Sequence, residues 1–70
     1  MEFEVTFRYD SDTKGTYKYV ALDSNGKPVT ESKERLAVGA NVLYVQKDSI
    51  KKPITRPDKI KAIFTFVNEQ

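Results

Sequence analysis

Residues 2–22 read EFEVTFRYDSDTKGTYKYVAL, and this stretch decides the fold. Its first half places an apolar or aromatic side chain at every second position, namely Phe3, Val5, Phe7 and Tyr9. A period of two is typical of a strand with one buried face. Turn-forming residues at 10–15 interrupt the alternation, and β-branched and aromatic residues resume at Thr16. The stretch therefore predicts a β-hairpin.

The rest of the chain continues the β pattern. The turn-forming segment 23–28 contains Asn25-Gly26, which supplies the positive φ angles that a tight reversal needs. A continuous apolar run at 42–45 predicts a central strand, and the alternation over 59–67 predicts the last one.

Two segments lack a strand pattern. Residues 29–40 are predicted to be irregular with about one turn of helix, although 36–38 also fits a short strand. Residues 48–52 predict a single helical turn that Asp48 caps and Pro53 stops. We therefore expect a single all-β domain over 1–70. Its architecture would be a small antiparallel meander of four or five strands, an open barrel or a curled sheet, with at most one or two short helical turns.

The apolar residues divide by parity into two sets. The first is the predicted core, which consists of Phe3, Val5, Phe7, Tyr17 or Tyr19, Leu43, Val45, Ile60, Phe64 and Phe66. The second lies at the opposite parity and consists of Val20, Leu22, Tyr44, Ile63 and Val67. Apolar residues on both faces normally mean burial on both sides. Barrel curvature, segment 29–40 or another subunit must then close the second face, so a homodimer through Val20, Leu22, Ile63 and Val67, or through an edge strand, is one prediction.

Composition narrows the possible functions. The 70 residues are 39% hydrophobic and 31% charged, which is enough for one folded core but not for a large enzyme cleft. The absence of cysteine and histidine excludes disulfides, thiol and imidazole catalysis and the common zinc sites. The first twenty residues carry charges throughout and do not fit a signal peptide, and no apolar run reaches membrane-spanning length. We expect a cytoplasmic, non-enzymatic protein with no cofactor and no membrane partner.

Two groups of acidic residues are better explained by structural roles than by metal binding or catalysis. The spacing Asp10-x-Asp12-x-x-Gly15 begins like a calcium loop, but Lys14 takes the third ligand position and Ala21 stands where the bidentate glutamate belongs. An aspartate-rich hairpin turn accounts for the same residues. The glutamates of the first strand are predicted to be solvated surface residues rather than an acid–base pair. No metal site and no catalytic residue is therefore predicted.

Positive charge is concentrated near the C-terminus. The chain carries +2 overall, whereas segment 47–61 has six basic and two acidic residues, net +4. Clustered basic side chains bind phosphates, and exposed aromatics stack on bases. We therefore predict a nucleic-acid-binding module, with a structural or protein-interaction module as the alternative. The predicted binding residues are Lys47, Lys51, Lys52, Arg56, Lys59, Lys61, Arg8, Lys18, Tyr17, Tyr19 and Tyr44.

The chain also resembles a group of known proteins. TKGTYKY at 13–19, LYVQKDSI at 43–50, the prolines that follow and the closing alternating strand are similar to short prokaryotic and phage proteins of comparable length. The resemblance covers most of the chain outside 29–40. It implies a compact β domain, and no activity or site residue carries over with it.

Overall fold

A computed structural model of the chain describes residues 1–36, 39 and 41–69. It contains one curled antiparallel sheet of four strands, which are β1 (Glu2–Asp12), β2 (Thr16–Ala21), β3 (Val42–Gln46) and β4 (Lys59–Thr65). The only helical segments among the described residues are two 3₁₀ turns, Val29–Glu31 and Lys47–Ser49. The predicted all-β class is confirmed, and so are the hairpin and the two short helical turns.

The strands lie in the order β3-β2-β1-β4. The last strand therefore returns to pair with the first, whereas a simple meander would place it beside β3. This is the spatial order of a Greek key. It makes the long alternating strand β1 central and leaves β3 and β4 as the two edges, so the prediction that 42–45 forms a central strand is wrong.

A β-bulge interrupts the β1–β2 hairpin between Tyr9 and Ser11. Tyr9 pairs with Tyr19, but Ser11 pairs with Lys18, and Asp12 pairs with Tyr17. A bulge inserts one residue and re-aims the side chains that follow it. Asp12 consequently shares a face with Tyr9, which strict alternation along β1 would not allow.

One face of the sheet, the inner face, carries the core. Its buried residues are Val5, Phe7, Tyr19, Ala21 and Val29, and Phe3, Tyr17, Leu43, Val45, Ile60 and Phe64 pack against them half-buried. Val29 comes from the first 3₁₀ turn and was not among the predicted core residues. Phe66 was predicted to be buried, but it is 48% exposed. It follows the end of β4, where its ring still contacts that of Phe3 at 5.1 Å between centroids.

Side-chain hydrogen bonds organise the segment around the first 3₁₀ turn. The Asp23 carboxylate accepts the N–H groups of Asn25 and Lys27, and Gly26 has φ 82° as the Asn-Gly turn predicts. A hydrogen bond from the Ser32 side chain, together with these two backbone bonds, holds the pKa of Asp23 below its usual value. The single predicted turn of helix in 29–40 is confirmed, and the alternative strand at 36–38 falls mostly outside the described residues.

The second 3₁₀ turn begins one residue earlier than the sequence predicts. It spans Lys47–Ser49, so Asp48 lies inside it and does not cap it, and it ends before Pro53 instead of being stopped by that proline. The Ser49 hydroxyl instead donates to the Gln46 carbonyl at 2.7 Å. This turn ends β3 and starts the loop that leads to β4.

The other face, the outer face, holds the second apolar set. Val20 is 9% exposed and Leu22 is half-buried, so the chain itself covers these two side chains. Ile63 and Val67 remain 65% and 72% exposed. The single chain therefore closes only part of this face.

Candidate nucleic-acid interface

A band of basic side chains crosses the outer face. In register, Lys59 of β4 pairs with Arg8 of β1, and Arg8 also pairs with Val20 of β2. Residues that are directly opposite in a sheet point to the same face. Lys18, two residues from Val20 on β2, pairs with Tyr44 of the edge strand β3. We call the set Arg8, Lys18, Lys59, Lys61 and Tyr44 the outer basic band.

Arg8 and Lys59 form a like-charged pair at the centre of this band. The next pair along the ladder, Tyr9 and Asp58, is joined by a backbone hydrogen bond: the Tyr9 N–H donates to the Asp58 carbonyl at 3.0 Å. Hydrogen-bonded and non-hydrogen-bonded pairs alternate along an antiparallel ladder, so Arg8 and Lys59 are a non-hydrogen-bonded pair. Side chains approach more closely at such positions. Among the described residues, neither cation has a carboxylate within 4.0 Å.

The two flanking lysines have distant acidic partners. The Lys18 ammonium lies 4.0 Å from Asp10, and that of Lys61 lies 3.9 Å from Glu4. Exposed ion pairs at such distances contribute little to stability. Both lysines can therefore turn towards an anionic ligand at small cost.

Tyrosine rings and two basic side chains form a separate cluster at one end of the inner face. The Tyr9 ring contacts the rings of Tyr17 and Tyr19 edge-on, at 6.3 and 6.0 Å between centroids. The Arg56 guanidinium lies 3.6 Å from the centroid of the Tyr9 ring, and the Lys47 ammonium lies 5.3 Å from that of Tyr17. These are cation–π contacts.

This cluster attaches the loop that precedes β4 to the sheet. The Tyr19 hydroxyl donates to the Pro57 carbonyl at 2.8 Å, and Arg56 contacts both the Tyr9 ring and Asp58. Tyr19 is fully buried, so its ring cannot stack on a base. Burial also raises the pKa of the Tyr19 phenol. The contacts of Tyr19 and Arg56 are accounted for by holding the fold together.

Asp12 connects two members of the cluster. Its carboxylate accepts a hydrogen bond from the Tyr9 hydroxyl and lies 3.1 Å from the Lys47 ammonium. These two contacts lower the pKa of Asp12, the bond from Tyr9 contributing most, and the same bond raises the pKa of the Tyr9 phenol.

The Asp12 contacts predict a pH dependence. Because the pKa of Asp12 is lower in the folded chain, its contribution to stability is present above the unfolded pKa, near 3.8, and is lost as the pH falls below that value. We expect Asp12→Asn to unfold at lower urea concentration than the wild type at pH 7. The difference between the two midpoints should shrink at pH 2. A difference that is equal at both pH values would contradict this assignment.

The residues predicted from the 47–61 segment separate into three places. Lys59 and Lys61 join Arg8 and Lys18 on the outer face, whereas Lys47 and Arg56 lie against the tyrosines of the inner face. The other two are Lys51 and Lys52, which are exposed in the loop after the second 3₁₀ turn. The outer basic band is thus assembled from all four strands. The register that brings Arg8 and Lys59 together has no sequence signal.

In the described part of the chain there is no candidate metal site, and the carboxylate beside one concave region is already hydrogen-bonded. No group of three or more acidic, histidine or cysteine side chains is close enough there to hold a metal ion. A concave region of about 330 Å³ lies beside the first 3₁₀ turn and is lined in part by Glu34 and Leu36. Its carboxylate, from Glu34, already accepts hydrogen bonds from the backbone N–H and the hydroxyl of Ser24.

Comparison with known proteins gives no match: no family model, no curated protein and no solved structure is similar to this chain at a significant level. No helix in the described residues has the length and apolar character needed to cross a bilayer.

Proposed function

We propose that this chain is a non-catalytic binding module whose outer basic band binds nucleic acid. The lysines and Arg8 would neutralise backbone phosphates without reading sequence. Tyr44, at 57% exposure, would offer its ring to an unpaired base at the end of the band. The proposed ligand is therefore a single strand.

The Arg8–Lys59 pair is the observation that carries the proposal. Like charges directly opposite on neighbouring strands destabilise a sheet. A phosphate placed between the two cations would relieve this repulsion and gain two charge-assisted contacts. An ordinary solvated rim would gain nothing from this arrangement.

The position of Tyr44 supports a single-stranded ligand. Tyr44 is opposite Lys18, so the aromatic and the basic side chain leave the outer face from neighbouring positions. Stacking of a base on an aromatic ring is worth about 1–3 kcal/mol per base, and it does not depend on which base is present. A nucleic-acid backbone that follows the outer basic band from Lys61 to Lys18 would bring its bases to the Tyr44 ring.

The first test compares two doubly neutralised variants that have the same net charge. In the variant Arg8→Gln/Lys59→Gln, affinity for a fluorescently labelled dT15 strand is expected to fall roughly 10- to 50-fold at 50 mM salt. The matched control is Lys51→Gln/Lys52→Gln, whose loop lies outside the band, and we expect a smaller loss. Fluorescence anisotropy measures both.

The outcome of this comparison is decisive in either direction. Equal losses in the two variants would mean that total charge, and not the outer face, determines binding. No binding of dT15 or of the matching U15 strand by the wild type at 50 mM salt would remove the proposal altogether. Tyr44→Ala separates nucleic acid from other polyanions, since it should weaken dT15 binding about tenfold and leave binding of inorganic polyphosphate unchanged.

Reversing one charge of the central pair should change stability and affinity in opposite directions. Lys59→Glu replaces a like-charged pair by an opposite-charged one, so the melting temperature is expected to rise by about 2 °C. The same change should weaken dT15 binding, because the band loses a cation and gains an anion. Thermal unfolding by circular dichroism and an anisotropy titration measure the two effects. A lower melting temperature would show that the two side chains do not oppose each other.

A homodimer through the outer apolar face is the second candidate. Of the residues that would form it, only Ile63 and Val67 are strongly exposed, since the chain already covers Val20 and half-buries Leu22. An Ile63→Ser variant tests it, because its sedimentation coefficient at high protein concentration should then fall below that of the wild type. Identical sedimentation would exclude this face as the contact.

A further inference from the structure

The edge strand β3 presents unpaired backbone groups at alternate residues. The Ala21 N–H donates to the Asn41 carbonyl at 2.9 Å, and the Lys47 N–H donates to the Gly15 carbonyl at 3.0 Å. Backbone groups alternate in direction along a strand, so those of Leu43 and Val45 also point towards β2. The N–H and C=O groups that point away from the sheet belong to Val42, Tyr44 and Gln46. Within the described residues only the Gln46 carbonyl has another partner, the Ser49 hydroxyl.

The two edges of the sheet differ in charge. The strand β3, with the sequence VLYVQ, contains no charged residue. By the same alternation, the outward backbone groups of β4 include those of Lys59 and Lys61. Charged side chains, and lysine in particular, discourage an edge from pairing with another chain. The uncharged edge β3 is therefore the one open to an added strand.

We propose that β3 pairs with β3 of a second copy of this chain, antiparallel and centred on Tyr44. In this register Tyr44 is opposite Tyr44 of the other copy, and Val42 is opposite Gln46. It is the register in which all three outward residues of both strands exchange hydrogen bonds. The nearest cation, Lys47, is then opposite the neutral Asn41, so no like charges meet. The carbonyl of Gln46 has a second lone pair for the added bond.

This pairing would continue the outer face from one copy to the next. Directly opposed residues of antiparallel strands lie on the same face, so the two Tyr44 rings would stand together at the centre of an eight-stranded sheet. The two outer basic bands would then form one surface. The pairing itself rests on the backbone and charge of β3 and does not require the proposed nucleic-acid binding.

The contact would be small. Two five-residue edges bury far less than the roughly 1,200 Å² of an ordinary stable interface, so we expect dimers to form at about 0.1–1 mM protein. Two copies held on one nucleic-acid strand would reach such concentrations locally.

Amide hydrogen exchange tests the pairing without any mutation. At about 20 µM the amides of Leu43 and Val45 should be protected, and those of Val42, Tyr44 and Gln46 should exchange fast. At about 1 mM the three outward amides should exchange roughly two- to fivefold more slowly, while the weight-average sedimentation coefficient rises towards that of a dimer. A chain that stays monomeric at 1 mM overturns the proposal, and so does a dimer in which these three amides remain unprotected.

Two single-lysine variants provide the matched comparison. Tyr44→Lys places two ammonium groups opposite each other at the centre of the contact, so the dimer should be lost at 1 mM. Ile63→Lys adds the same charge at the other edge and should leave the dimer in place. Circular dichroism of both variants verifies the fold. A Tyr44→Lys chain that still dimerises would overturn the proposal, whatever the result of the nucleic-acid titrations.

Discussion

Replacing Tyr19 by alanine is expected to remove a large share of the free energy that keeps this chain folded. Tyr19 has no exposed surface, its ring contacts that of Tyr9, and its hydroxyl donates to the Pro57 carbonyl. Truncating a buried aromatic side chain costs about 3–5 kcal/mol. A domain of 70 residues has a total stability of roughly 3.5–10 kcal/mol. The variant therefore loses a large share of what keeps the chain folded, and urea unfolding followed by far-UV circular dichroism measures the loss.

Two tyrosine variants serve as controls for this result. Tyr19→Phe keeps the ring and removes the hydrogen bond to Pro57, so it should cost about 1 kcal/mol and leave the chain folded. Tyr44→Ala removes a ring that is 57% exposed and should cost less than Tyr19→Ala. If Tyr19→Ala and Tyr44→Ala unfold at the same urea concentration, the assignment of Tyr19 to the inner core is wrong.

The strands were predictable because their patterns are local. The alternation from Phe3 to Tyr9 reports a strand with one buried face, and the alternation in 59–67 reports the last strand in the same way. The turn at Asn25-Gly26 was predictable for the same reason, since it depends on the chemistry of adjacent residues. Periodicity and turn chemistry thus establish the class of fold.

The strand order and the register could not be predicted, because they depend on contacts between residues that are far apart in the sequence. Nothing in the sequence of β4 shows that it pairs with β1 instead of β3, so the opposition of Arg8 and Lys59 could not be predicted. The bulge that turns Asp12 towards Tyr9 could not be predicted either, because it lies in a run of turn-forming residues that has no strand pattern. The burial of Val29 depends on a segment without periodicity.

The candidate site was predicted by composition but not by position. The positive segment 47–61 suggested a single patch, because neighbouring residues in a sequence are assumed to be neighbours in space. Strand alternation and the loop before β4 divide this segment, and only Lys59 and Lys61 reach the outer basic band. The remaining cations of the band, Arg8 and Lys18, belong to the first hairpin. Charge density along a sequence therefore locates basic residues without saying which face they share.

The salt dependence of binding is the second large effect that we expect. If all four cations of the outer basic band contact phosphates, the logarithm of the affinity for dT15 should fall with the logarithm of the salt concentration with a slope of about −2.8. Raising the salt from 50 to 200 mM then weakens binding roughly 50-fold. Counterions released from the strand on binding cause this dependence, so the slope counts the phosphates that are neutralised. Fluorescence anisotropy at four or more salt concentrations measures it.

The variant Arg8→Gln/Lys59→Gln tests whether the phosphate contacts counted by the slope lie on the outer face. With two contacts left, the slope should fall to about −1.4, and the same increase in salt should weaken binding only about sevenfold. The slope of Lys51→Gln/Lys52→Gln should remain near −2.8, because its loop makes none of the counted contacts. If the two slopes are interchanged, the phosphates lie along the loop before β4. A wild-type affinity that does not change with salt would mean that phosphate neutralisation contributes nothing, and the like-charged pair Arg8–Lys59 would then have no ligand to relieve its repulsion.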